Sequence, residues 1–267
     1  MGGIITISRG SYSRGKEIAE KLSEKLGYRC ISREILLKAS KDFNVPEVKL
    51  HQAIQNAPSV LERLKHGKKK YIAFIRKAFL ESVQSDNVIY HGLAGQFFTQ
   101  GLPNILKVRI TADFNFRVNV VMKRENVSEE KARQMLTRID EERSKWSMFL
   151  YGIDTNSPDL YDIILHIHTI TVTDAVDILY NYAQRSCFQT TDESKKKLKD
   201  RLIAARAYSV IVKKFPEANV KCKDGVVLIS VESSLSVEKV LAKKFSKQLK
   251  GIEGVKEVKT FVIPFET

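Results

Sequence analysis

The stretch "GIITISRGSYSRGKEIAEKL", Gly3–Leu22, decides how the rest of the chain is read. Its opening residues are a short β-branched run suited to a buried strand. Ile18, Ala19, Leu22 and then Leu26 recur at helical spacing until Gly27 stops them. Between the two lie Gly10, Gly15 and Lys16, spaced G-x-x-x-x-G-K as in a phosphate-binding loop. A strand feeding a glycine-bearing turn feeding a helix lets successive backbone N–H groups converge on a phosphate, and the helix N-terminus adds partial positive charge. Gly10, Ser11, Tyr12, Ser13, Arg14, Gly15, Lys16 and Glu17 are therefore the candidate nucleotide-binding residues, with Lys16 placed to reach the terminal phosphates. Glu17 stands where Ser or Thr would ordinarily help hold magnesium. A carboxylate beside phosphates needs a cation between them, which Arg9, Arg14 or a magnesium ion can supply.

Outward from that loop the chain alternates strand-like and helix-like segments. A short strand is expected near Cys30 with a second helix after it, and 48–84 reads as mostly helical, interrupted near Pro58 and Gly67. "NVIYHGLA" (Asn87–Ala94) and "ILKVRITA" (Ile105–Ala112) are further strands rich in Val and Ile. A long helical tract follows from about Phe114 to Trp146, within which Ser128 can cap "SEEKARQML". "YDIILHIH" (Tyr161–His168) closes the strand series, and "TVTDAVDILYNYAQR" is an amphipathic helix. This alternation predicts an α/β fold, a parallel sheet covered by helices on both faces.

The 267 residues, 43% of them hydrophobic, suffice for two domains, and no apolar run reaches the length of a membrane-spanning helix. With no recognisable signal peptide, a soluble cytoplasmic protein is expected. Cys30, Cys187 and Cys222 are far apart and unpaired in pattern, and the five histidines form no ligand set, so no metal site is expected. The net charge of +14 favours anionic partners, and it is concentrated late: from Glu193 onward 17 Lys and Arg face 9 Asp and Glu. Past Cys187, "QTTDESKKKLKD" reads as a polar linker, here placed at 189–195, running into a helix. The remainder, 196–267, reads as a small αββαβ unit with an Asp224-Gly225 turn joining its first two strands. The first domain is then 1–188.

"ITISRGSYSRGKEIAEKLSEKLGY", "VIYHGLAGQFF", "LPNILKVRITADFNFRVNVVMKRENVSEEKARQMLTRIDEERSKW" and "PDLYDIILHIHTITVTDAVDIL" resemble, in order, the cytidylate-kinase-like branch of P-loop kinases over about 1–185. In that branch Glu follows the loop Lys, as Glu17 does here. The resemblance implies an ATP-dependent kinase that uses magnesium with ATP and transfers the terminal phosphoryl group to cytidylate or a related nucleoside monophosphate. It implies catalytic roles for Lys16, Arg124 and Arg143, and acceptor binding by Arg33, Asp140 and Arg143, the last two in a D-x-x-R element; Arg117 falls among the arginines around the transferring phosphate. Two positions depart from the pattern: Leu93 stands where the family carries an arginine after Gly92, and Ser32 where it tends to carry Asp. They motivate the alternative of a nucleotide-binding regulatory protein without phosphoryl transfer. The C-terminal "DGVVL" (Asp224–Leu228) and "GVKEV" (Gly254–Val258) resemble a BON domain, which implies binding of an anionic ligand or phospholipid through a basic module.

Overall fold

The computed structural model describes residues 2–32, 35, 67–92 and 94–264; most of the helix expected after Cys30, all of 48–66, Arg33 and Leu93 lie outside the described residues. β1 (Ile4–Arg9), β2 (Arg29–Ile31), β3 (Val88–His91), β4 (Ile105–Ala112) and β5 (Ile163–Ile167) form one sheet in the order β2-β3-β1-β4-β5. Every pairing in it is parallel, with Ile4 opposite both Val88 and Ile105. In such a sheet both faces are buried, which is why four successive residues of β1, Ile4 to Ile7, are buried rather than alternate ones. Ile5 and Ile7 turn to one face, where α1 (Gly15–Leu26) and α6 (Val172–Ala183) supply Ile18, Leu22, Val176 and Leu179. Ile4 turns to the other, against α2 (Gly67–Val83), whose Tyr71, Phe74, Phe79 and Leu80 are buried.

The strand order reverses at β1, which has β3 on one side and β4 on the other. Ligands of open parallel sheets bind outside the carboxyl ends of the strands at such a reversal. The loop after Arg9 occupies that position. The short helix α3 (Gly95–Phe98) follows β3 at the same end of the sheet.

The helical tract expected from Phe114 to Trp146 is two helices, α4 (Phe114–Glu125) and α5 (Glu129–Tyr151). Asn126 ends α4 in the left-handed region at φ 53°, and the Ser128 hydroxyl then accepts from the Lys131 N–H to begin α5. The two pack through Val118, Val121, Ala132 and Leu136, with the loop residue Tyr12 against them.

α7 (Asp192–Ile211) is buried on two sides. Leu198, Leu202 and Ala205 join the core that includes α2, whereas Ile203, Ala207 and Ile211 join a second core with the C-terminal sheet. That sheet has the order β6-β7-β8, from β6 (Asn219–Lys223), β7 (Val226–Glu232) and β8 (Glu257–Ile263), and α8 (Glu238–Leu249) covers it with Leu241, Phe245 and Leu249. The β6–β7 turn puts Asp224 and Gly225 at φ 54° and 83°, the geometry that favours Asp-Gly. A Cβ at Gly225 would also lie 2.7 Å from the Gly254 carbonyl. Residues before α7 are tied down: Thr190 donates its N–H to Gly2 and its hydroxyl to Asp86, and Thr191 and Ser194 form a capping box. No described helix is long and apolar enough to cross a membrane.

Candidate functional site

The loop between β1 and α1 is held from within. Gly10 donates its N–H to the Ile110 carbonyl at 2.9 Å, and the buried Ser13 hydroxyl reaches the carbonyls of Gly10 and Ile110 at 2.9 and 3.2 Å. Tyr12 and Arg14 adopt positive φ of 55° and 61°, an uncommon conformation for side-chain-bearing residues and one that marks a constrained, functional turn. Gly15 admits no side chain, because a Cβ would stand 2.7 Å from Arg9 Cβ. The N–H of Ile18 is bonded to the Arg14 carbonyl at 3.1 Å. The amides of residues 15–17 before it are those a helix N-terminus offers to an anion. Lys16 is well exposed and, among the described residues, pairs with Glu20 at 3.5 Å. Burial alone would raise Glu17, but hydrogen bonds from Arg14 and Lys21 outweigh it and hold the carboxylate below its usual range.

Two clefts meet beside this loop. The larger, about 860 Å³, is lined by Ser11 through Glu17, by Arg124 at the end of α4, and by Arg138, Glu142 and Arg143 of α5. Lys16, Arg124 and Arg143 therefore line one space. Tyr12 carries the Arg124 guanidinium 5.6 Å over its ring and donates its hydroxyl to Glu125. The smaller cleft, about 270 Å³, is lined by Gly10, Gln96, Phe97, Arg109, Arg117, Asp140, Arg143 and Asn156 among others. Asp140 and Arg143 thus share it, while Arg33 lies outside the described residues. Arg9 and Arg143 line both clefts.

The junction is electrostatically lopsided. Asp140 accepts from the Ser11 hydroxyl at 2.8 Å and from Arg117 at 2.7 Å, linking the loop, α4 and α5. Arg143 donates to the Arg9 carbonyl at 3.1 Å. Burial, and behind it the charge of Arg9, pulls the Arg143 guanidinium down to about 10; Asp140 offsets only part of this. Burial also lowers Arg9, opposed by Tyr90 and reinforced by Arg124, and its Nε is buried without a hydrogen-bond partner. Arg9, Arg109, Arg117 and Arg143 confront Asp140 alone in the smaller cleft, so this end of the sheet is arranged to receive an anion.

Sequence spacing did not mark Arg109, Arg138 or Gln96. Arg109 and Gln96 lie in a strand and a short helix that read as apolar structure, and Arg138 looks like one more exposed charge on a helix with Glu142 one turn on. Arg143 carried a usable signal, since it falls in register with Leu136, Trp146 and Leu150 on the buried face of α5. Among the described residues no group of three or more His, Cys, Asp or Glu could hold a metal ion. Magnesium is commonly bound through substrate phosphates and one or two carboxylates, and the ionised Glu17 at the cleft wall fits that mode.

Comparison with known proteins places this arrangement. A model of the cytidylate kinase-like family matches residues 4–169. A cytidylate kinase from Ignicoccus hospitalis is 23% identical over 166 residues, covering 61% of this chain and 88% of that protein. The crystal structure of an uncharacterized protein from Eubacterium ventriosum aligns with a TM-score of 0.54 at 23% identity, over 68% of this chain and 98% of that one, which is a likeness of fold.

Proposed function

This chain belongs to the cytidylate kinase-like family, and on that premise we propose that it is a nucleoside monophosphate kinase, transferring the terminal phosphoryl group of ATP to cytidylate or a related acceptor. The observation that carries the reading is the meeting of two clefts at Arg9 and Arg143. The larger takes the triphosphate on the loop amides and Lys16, the smaller takes the monophosphate beside Asp140 and Arg117. An acceptor phosphate oxygen attacks the terminal phosphorus, the bond to the bridging oxygen breaks, and the diphosphate leaves. Charge on the transferring group is then spread between guanidiniums already in place, and phosphoryl transfer depends chiefly on such positioning and electrostatic stabilisation. A magnesium ion bound with the triphosphate would neutralise charge on its outer oxygens, with Glu17 the loop carboxylate suited to approach it.

Incubation with ATP, magnesium and each of the four nucleoside monophosphates tests the proposal: diphosphate from at least one acceptor is expected, formed about 10²–10³-fold more slowly by Lys16→Ala. Diphosphate from none would overturn it. A regulatory protein that binds nucleotide without transfer is favoured by Leu93, which cannot bind phosphate; it requires triphosphate binding by calorimetry without turnover. The lysine-rich C-terminal unit adds to the reading an anionic partner held electrostatically, with binding that falls steeply between low and moderate salt.

A further inference from the structure

We infer that Arg109 and Gln96 are the residues that select the acceptor, Arg109 by holding its phosphate monoester and Gln96 by reading the planar group beyond it. The inference rests on the kinase reading above and deepens it.

Arg109 is an arginine in the middle of a strand of a doubly covered parallel sheet, between the fully buried Val108 and Ile110. A charge in that setting costs desolvation unless it is paired. Its partners are all neutral oxygens: Asn156 Oδ1 at 2.6 Å, the Tyr161 hydroxyl at 3.3 Å and Ser8 Oγ at 3.4 Å. Among the described residues no carboxylate lies within ion-pair distance of it. Three acceptors and the Tyr161 ring, 5.6 Å from Cζ, fix the plane of the guanidinium while leaving its charge uncompensated. Arg117 and Arg143 line the same cleft, and the carboxylate there, Asp140, is already shared by Ser11 and Arg117. With Arg9 the cleft sets four guanidiniums against one carboxylate, a surplus that calls for a multiply charged anion, and a pre-oriented guanidinium suits the oxygens of a phosphate monoester in two-pronged geometry.

Gln96 is a second and independent pointer. It lines the cleft although the residue as a whole is only 4% exposed, so what little of it is open faces the space beside Arg109. Its carboxamide, with two donors and one acceptor, matches the edge of a heterocycle. Phe97 and Trp146 line the cleft with it, giving that edge an aromatic surround. A nucleoside monophosphate satisfies both observations, whereas inorganic phosphate satisfies only the first.

The test is calorimetric titration of the full chain with CMP, UMP, AMP and GMP, and separately with a non-hydrolysable ATP analogue plus magnesium, comparing wild type with Arg109→Met, Arg109→Lys and Gln96→Leu. The preferred monophosphate should bind at least 30-fold more weakly to Arg109→Met, with partial recovery in Arg109→Lys, which keeps the charge but not the fork. Affinity for the ATP analogue should stay within about twofold of wild type, a split that general damage to the fold would not produce. Gln96→Leu should compress the ratio of affinities among the four monophosphates by about tenfold. If Arg109→Met does not fold, Arg109→Lys decides, with at least a fivefold loss expected. Unchanged monophosphate binding in the Arg109 variants, or an equal loss for the ATP analogue, overturns the inference and leaves the kinase reading standing. A wild-type chain that binds none of the four overturns both.

Discussion

Arg143 occupies a place on α5 that packing alone would give to an apolar side chain, and the cost of its charge there yields a stability prediction. Its folded-state value lies below that of a free arginine, so between about pH 10 and the ordinary value the unfolded chain holds the proton more tightly. The charged form therefore weakens the native state fully below pH 10, and the penalty fades as pH rises through it. Arg143→Met should remove this penalty at the loss of one hydrogen bond to Arg9, a net gain of about 1–2 kcal/mol, or a Tm higher by about 3–6 °C at pH 7. Turnover should fall at least 100-fold. The gain should shrink in melts at pH 10.5, and a lower Tm at pH 7 would refute the account. Lys16→Ala makes a contrasting pair: Lys16 is exposed and its ion pair with Glu20 is a surface pair, so Tm should move by less than about 2 °C while turnover falls about 10²–10³-fold. Residues whose role depends on local spacing, such as Gly15 and Lys16, could be read from the sequence for that reason. Arg109 and Gln96 could not, since what singles them out is the cleft they share and, for Arg109, neutral partners with no carboxylate among the described residues, which appear only once distant segments meet.

Asp140 shows what the elements do together. Sitting on α5, its carboxylate accepts both from the loop after β1, at Ser11, and from α4, at Arg117. Asp140→Asn keeps the shape and an acceptor for Ser11 but leaves the mostly buried Arg117 without its ion partner. A loss of about 1–3 kcal/mol is expected, opposite in sign to the effect of Arg143→Met in the same cleft. The acceptor KM should rise more than tenfold with the ATP KM little changed, because the loop amides and Lys16 remain. Equal changes in the two KM values would mean that Asp140 merely supports the loop. The element boundaries around this site were partly readable. Ser128 announced the start of α5, but the break before it depends on Asn126 accepting a left-handed conformation, and the helix runs on to Gly152 because Trp146 and Leu150 are buried against α2 and the sheet. Periodicity gives the face of such a helix well and its ends poorly, since an end is a contest between a local cap and further burial.

At the scale of the whole molecule, α7 decides whether the chain behaves as one unit or two. Its sequence, "DESKKKLKDRLIAARAYSVI", has no single apolar stripe, and its polar start resembles a linker; both features arise because opposite faces are claimed by different cores. Arg206 adds an ion pair to Glu81 of α2 at 3.2 Å and another to Glu253 of the C-terminal unit at 3.0 Å, so the same helix bridges the two halves by charge as well. Leu202 and Ile203 are adjacent, 3% and 2% exposed, and belong to different cores. If α7 couples the halves, Leu202→Ala and Ile203→Ala should each cost about 2–5 kcal/mol and lower one shared calorimetric transition by about 5–15 °C. The calorimetric and van 't Hoff enthalpies should agree for wild type and both variants, as for a single cooperative unit. Independent halves would instead give two transitions, with Leu202→Ala moving one and Ile203→Ala the other. Coupling of this kind has a further consequence for the site. Binding an ATP analogue stabilises the native state by mass action, so in one cooperative unit it must raise the melting of the C-terminal sheet, far from the phosphate loop, as much as that of the parallel sheet. Amide hydrogen exchange in Val227, Ile229 and Val231, all buried in β7, measures this directly: their slow, globally governed exchange should be further protected by the analogue, and protection confined to the parallel sheet would show that α7 transmits no stability between the halves.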